Sequence, residues 1–77
     1  MFQRLSNTME EAAVKIRLGS TASKRAFQLQ REFPGMSTPE AETRASQECL
    51  ASMRAEGVDI ESYNEVKAWS KRFLKQR

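Results

Sequence analysis

The sequence predicts an all-α fold, a single domain over residues 1–77 built as a small bundle of about four short helices. Apolar residues recur every three or four positions, and no run of alternating apolar residues is long enough for a strand. Capping residues, glycines and prolines divide the chain into segments joined by connections of only a few residues, so successive helices should pack as antiparallel or steeply crossed hairpins. With 77 residues and 39% apolar side chains, the core should be thin.

Two helices are expected in the first half of the chain. The first should begin at Asn7 as N-cap and end at Gly19. The second should run from about Thr21 to Phe33, because Pro34 follows. The stripes expected to face the core are Leu5, Met9, Ala12, Ala13 and Ile16 in the first helix and Ala22, Ala26, Leu29 and Phe33 in the second.

The third helix has the clearest boundaries. Thr38 is the expected N-cap, Pro39 the first helical residue and Gly57 the left-handed stop, giving a helix over 39–56. A basic C-terminal helix should follow over about 60–75. The expected inner faces are Ala41, Ala45, Cys49 and Met53 in the third helix and Ile60, Tyr63, Val66, Trp69 and Phe73 in the fourth.

Composition excludes several classes of function. The chain has no histidine and one cysteine, so neither a structural zinc site nor a His-dependent nucleophile is expected. It also lacks a carboxylate pair and a glycine-rich phosphate loop, so we expect no enzyme and no cofactor. No apolar run approaches the ~20 residues of a membrane span, and the single cysteine fits a reducing compartment. These features predict a soluble, cytoplasmic protein.

Charge is distributed unevenly along the chain. The net charge is +3, but residues 38–66 carry seven acidic and two basic side chains. Residues 67–77 carry five basic side chains and no acidic one. A uniformly basic nucleic-acid-binding protein would not show this pattern.

The most informative stretch is Ser52–Gly57, at the end of the third helix. Ser52 and Glu56 stand one helical turn apart and should share a face. Glu56 lies in the last turn, where the helix dipole disfavours an acid, and no Lys or Arg stands three or four residues away. Its angular position falls between Ala45 and Cys49, on the apolar side. We therefore expect Glu56 to pair with a cation on another molecule.

This stretch resembles the inhibitory motif of the small antitoxins of Fic-domain adenylyltransferases, the VbhA-type group. The resemblance implies that the chain binds a Fic enzyme, which transfers AMP from ATP to a protein hydroxyl. It implies that Glu56 occupies an enzyme arginine that would otherwise hold the ATP γ-phosphate, so that ATP binds in a non-productive pose. Ser52 would be its hydrogen-bonding companion, and Gly57 would turn the chain away. The matching residues are Ala51, Ser52, Arg54, Glu56, Gly57, Val58 and Asp59.

Other interpretations remain open. Ser52 and Glu56 also fit an ordinary solvated helix end before a glycine cap. A small nucleic-acid-binding or transcription-regulatory protein could use the basic C-terminal helix, or a recognition helix beginning at Lys24-Arg25. A third alternative is a phage-type helical inhibitor that binds an unrelated protein. A candidate partner surface comprises Trp69, Phe73, Lys71 and Arg72.

Overall fold

The computed structural model describes the backbone of residues 2–75 and the side chains of residues 9–75. It contains three helices, α1 (Phe2–Glu32), α2 (Thr38–Glu56) and α3 (Tyr63–Lys75), and no strand within the described residues. The predicted all-α class is confirmed, with three helices instead of about four. The side chain of Leu5 lies outside the described residues.

The helix count differs because α1 continues through Gly19. Asn7, the expected N-cap, lies inside α1, and the predicted stop at Gly19 is wrong. A helical glycine costs about 1 kcal/mol relative to alanine, which packing can outweigh. Val14 and Thr21, on either side of Gly19, are both buried against the rest of the bundle. These contacts hold the helix together across the glycine.

The continuous α1 turns a different face to the core than predicted. Met9 and Ile16 are 74% and 73% exposed, so their assignment to the core is wrong. Val14 is buried instead, and Ala26 and Leu29 are buried as predicted. The expected core residues that are exposed or only partly buried also include Ala12, Ala13, Ala22 and Phe33.

Both boundaries of α2 follow from local chemistry. Ser37, not Thr38, is the N-cap, and its hydroxyl accepts a hydrogen bond from the Glu40 amide at 3.3 Å. Gly57 adopts the left-handed conformation with φ 67°, which confirms the predicted stop. The predicted inner stripe is also confirmed, since Ala41, Ala45, Cys49 and Met53 are all buried.

Helix α3 starts three residues later than expected. Asp59 and Ser62 close a turn, with the Ser62 amide donating to the Asp59 carbonyl at 3.0 Å, and Ile60 on this turn is 57% exposed. Of the predicted inner face, Val66, Trp69 and Phe73 are fully buried, whereas Tyr63 is only partly buried and packs against the edge of the core.

Helix α1 is the long axis of the bundle, and α2 and α3 pack on one side of it. Gln30 contacts Thr38 at the start of α2 and Arg25 contacts Glu48 further along it, so α2 runs antiparallel to α1. A bond between Thr21 and Ser70 joins α1 to α3. The larger core cluster lies between all three helices and comprises Val14, Cys49, Met53, Val66, Trp69 and Phe73. The stretch Ser52–Gly57 at the end of α2 is therefore positioned beside the middle of α3.

Among the described residues, no helix has the length and apolar character needed to cross a bilayer.

Candidate functional site

Ser52 contacts the core from the last turns of α2. Its hydroxyl oxygen accepts a hydrogen bond from the indole Nε1–H of Trp69 at 2.9 Å. Trp69 is fully buried and its ring stacks on Phe73, with centroids 5.0 Å apart. Ser52 therefore satisfies an indole donor that has no access to solvent.

Glu56 pairs with a cation of its own chain. Its Oε1 accepts a hydrogen bond from Nη2 of Arg72 at 2.6 Å, and the pair is also a salt bridge. The expectation that Glu56 lacks a cation partner in its own chain is wrong, because Arg72 reaches it from α3 and not from a neighbouring turn of α2. The carboxylate is only partly buried at this position: the Glu56 side chain is 33% exposed and that of Arg72 is 51% exposed. An exposed pair of this kind contributes about 0–1 kcal/mol.

The two motif side chains do share a face, and that face is turned toward α3. Ser52 and Glu56 are four residues apart on α2, and their partners Trp69 and Arg72 are three apart on α3. Each spacing corresponds to about one helical turn, so the two contacts between α2 and α3 are neighbours, one turn apart on each helix. Together they define the α2–α3 corner.

The rest of the motif surrounds this corner. Gly57 donates its amide to the Arg54 carbonyl at 3.2 Å, and the Val58 amide donates to the Met53 carbonyl at 3.0 Å. These bonds cap the C-terminus of α2. The side chains of Ala51 and Arg54 are exposed.

The candidate partner surface on α3 separates into two parts. Trp69 and Phe73 are core residues with no exposed area. Lys71 and Arg72 lie on the exposed side of the helix. Only the two cations can contact a partner while the bundle remains folded.

A cluster of cations around Tyr63 was missed at the sequence level. Nη2 of Arg17 donates to the Tyr63 hydroxyl at 3.2 Å, and the guanidinium carbon lies 5.9 Å from the ring centroid. This hydrogen bond lowers the pKa of the Tyr63 phenol below its ordinary 10.0, and the charges of Arg17, Lys67 and Lys71 lower it further. Arg17 and Tyr63 are 46 residues apart, so only the tertiary structure brings them together. The available signal was the four-residue spacing of Tyr63, Lys67 and Lys71 on one helix face.

The helix-turn-helix interpretation of Lys24-Arg25 is wrong. No turn precedes these residues, because they lie within the continuous α1. The Arg25 side chain is 6% exposed, and its Nε lies 2.8 Å from Oε1 of Glu48. Arg25 thus connects α1 to α2 and is not available to a nucleic acid.

Acidic side chains gather at the N-terminal end of α3, away from the α2–α3 corner. Glu10, Glu11, Asp59 and Glu61 line a shallow depression there. Glu10 accepts a hydrogen bond from the Tyr63 amide at 3.4 Å, in the first turn of α3, where the helix dipole favours an acid. Within residues 9–75, no group of three or more acidic or cysteine side chains is arranged to hold a metal ion.

No family model matches the chain, and neither a curated protein nor a solved structure is significantly similar to it.

Proposed function

We propose that this chain inhibits a Fic adenylyltransferase through Glu56, at the end of α2. The observation that carries the proposal is the placement of this carboxylate. It lies in the last turn of a helix, partly exposed, directly before a left-handed glycine that turns the chain away. The resemblance of Ala51–Asp59 to the inhibitory motif supports the same role. An argument from an unpaired acid does not, because Arg72 pairs with Glu56.

Inhibition on this proposal requires Glu56 to exchange one arginine for another. The contact with Arg72 is a surface pair, and breaking it costs about 0–1 kcal/mol. A bidentate pair with an enzyme arginine in a water-excluded cleft is stronger, because charge-assisted hydrogen bonds gain from desolvated, planar geometry. On this proposal Glu56 therefore leaves Arg72 and pairs with the enzyme arginine when the complex forms.

Ser52 acts in this proposal as a positioning residue. Its bond to Trp69 holds α3 against the last turns of α2. That contact keeps the Glu56 carboxylate at the corner, and it does not require Ser52 to contact the enzyme.

The test is an AMP-transfer assay with a Fic enzyme encoded beside this chain. Glu56→Gln keeps the shape of the side chain and removes its charge, so this variant should bind the enzyme and fail to inhibit it. Glu42→Gln is the matched control, because Glu42 is an exposed glutamate of α2 on nearly the same face, about 21 Å from Glu56. Full inhibition by Glu56→Gln, or a Fic enzyme that never binds the wild-type chain, would refute the proposal.

The cation cluster favours a second candidate function, the binding of a nucleic-acid backbone. Arg17 on α1 and Lys67 and Lys71 on α3 lie near one phenol and form a basic surface across two helices. Phosphate binding through such a surface weakens steeply with salt.

The variant Lys67→Gln with Lys71→Gln tests this candidate. It should reduce the slope of log K against log salt by about 2 for duplex DNA. Lys15→Gln is the control, because Lys15 lies on the other side of α1 from Arg17. Equal slopes for the two variants would exclude the cluster as a phosphate-binding surface.

A further inference from the structure

Helix α1 carries an apolar stripe on the face opposite the core. Met9, Ile16 and Phe27 are 74%, 73% and 70% exposed, although all three are large. At ~100° per residue they lie within about 20° of one line. Thr21 and Leu29, which are buried, point to the other side of the helix. The stripe faces away from α2 and α3.

The spacing of this stripe is that of a coiled-coil seam. Between the large residues the line contains small ones, and the positions alternate in steps of four and three: Met9, Ala13, Ile16, Ser20, Ser23 and Phe27. The seam exists because α1 continues through Gly19, since a break there would have separated Met9 and Ile16 from Phe27. A shallow groove beside Tyr63 of α3 borders the seam at Ala13, Ile16 and Ser20.

We infer that the seam is a self-association surface, on which α1 of a second copy of this chain packs antiparallel. The register is symmetric about the middle of the seam. Met9 meets the partner's Phe27, Ala13 meets the partner's Ser23, and Ile16 meets the partner's Ser20. Two large side chains then pack together at each end, two small ones at Ala13 and Ser23, and a large with a small one near the centre, so the side chains fill the seam unevenly in size along its length.

Charges along one edge of the seam select the antiparallel orientation. Glu10 follows Met9, while Lys24 and Arg31 lie on the same edge toward the other end of α1. Antiparallel packing places each Glu10 beside the partner's Lys24, within reach of the partner's Arg31. In parallel packing the same edge would face the opposite edge of the partner helix, where Ala12, Gly19 and Ala26 carry no charge, so no such pairing would form. Arg17 lies near the two-fold axis and opposes its own copy, but its guanidinium is directed to the Tyr63 hydroxyl.

The size of the seam predicts a weak dimer. It spans about 27 Å of helix from residue 9 to residue 27. Three large side chains of this exposure and the small ones between them correspond to roughly 1,000 Å² of total buried area, below the roughly 1,200–2,000 Å² of stable specific interfaces and in the range of weak, transient ones. Association should therefore depend on protein concentration.

Sedimentation equilibrium of the whole chain, from low to several hundred micromolar, tests the inference. The wild-type chain should change from monomer to dimer, and Ile16→Asp should weaken the dimer at least tenfold with an unchanged circular dichroism spectrum. Leu50→Asp is the matched control, because Leu50 is an apolar residue of α2 that is 52% exposed outside the seam. A monomer throughout, or equal loss of dimer in the two variants, would overturn the inference.

Charge exchange tests the orientation and distinguishes this inference from the inhibitor proposal, since it involves neither Glu56 nor an enzyme. Glu10→Lys places two lysines at each paired end of the dimer, and Lys24→Glu places two acids there, so each variant alone should dimerise more weakly. A mixture of the two should restore the dimer as a heterodimer. A mixture that associates no better than the separate variants would contradict the antiparallel register.

Discussion

Replacing Ser52 by alanine tests whether this motif residue stabilises the bundle. The change removes the acceptor of the Trp69 indole donor, which lies 2.9 Å away and is fully buried. A buried donor left unsatisfied costs about 1–3 kcal/mol. Alanine recovers about 0.5 kcal/mol in helix propensity, so the net loss in the free energy of unfolding should be about 0.5–2.5 kcal/mol. For comparison, the free energy of unfolding expected for a whole domain of this size is roughly 4–12 kcal/mol.

Urea unfolding followed by far-ultraviolet circular dichroism measures this loss. Ser46→Ala is the matched control, because it removes the same hydroxyl from an exposed position of α2 and gains the same helix propensity. A double-mutant cycle with Trp69→Phe isolates the hydrogen bond, and its coupling energy should be about 1 kcal/mol. Equal unfolding free energies for Ser52→Ala and Ser46→Ala would refute the reasoning.

Three further predictions concern Tyr63 and two glycines. Tyr63 is the chain's single tyrosine, so tyrosinate absorbance should titrate below pH 10.0 in the folded protein and nearer 10.0 in Arg17→Gln. Because the folded pKa is the lower one, the stability that this phenol contributes is fully present above pH 10.0 and is lost as pH falls through the folded pKa. Gly19→Ala should raise the free energy of unfolding by about 1 kcal/mol, since its added Cβ meets no atom within 4 Å; a decrease would contradict a continuous α1. Gly57→Ala should instead lower the free energy of unfolding by about 1 kcal/mol, because Gly57 has a φ of 67°, which alanine adopts only with strain. Thermal unfolding of the two glycine variants measures both changes.

Features of α2 could be predicted from sequence because local chemistry determines them. Its inner stripe follows from periodicity, and its end follows from a glycine that tolerates the left-handed conformation. The same rule, that a glycine ends a helix, wrongly predicted a stop at Gly19. A cost of about 1 kcal/mol for a helical glycine does not end a helix whose flanking turns, at Val14 and Thr21, are held by packing.

The partners of the site residues could not be predicted, because they come from other helices. Arg72 reaches Glu56 from 16 residues away, and Arg17 reaches Tyr63 from 46. Helical spacing predicts which side chains share a face, and it correctly placed Ser52 and Glu56 together. It does not determine which face of the next helix packs opposite, so both cations were missed.

The exchange of Arg72 for an enzyme arginine is tested most directly by comparing Arg72→Gln with Glu56→Gln in AMP-transfer inhibition. Glu56→Gln should abolish inhibition. Arg72→Gln frees the carboxylate from a pair that contributes about 0–1 kcal/mol, so inhibition should be retained and strengthened by up to about fivefold. If both variants inhibit as the wild-type chain does, Glu56 serves only to pair with Arg72 and its inhibitory role is contradicted.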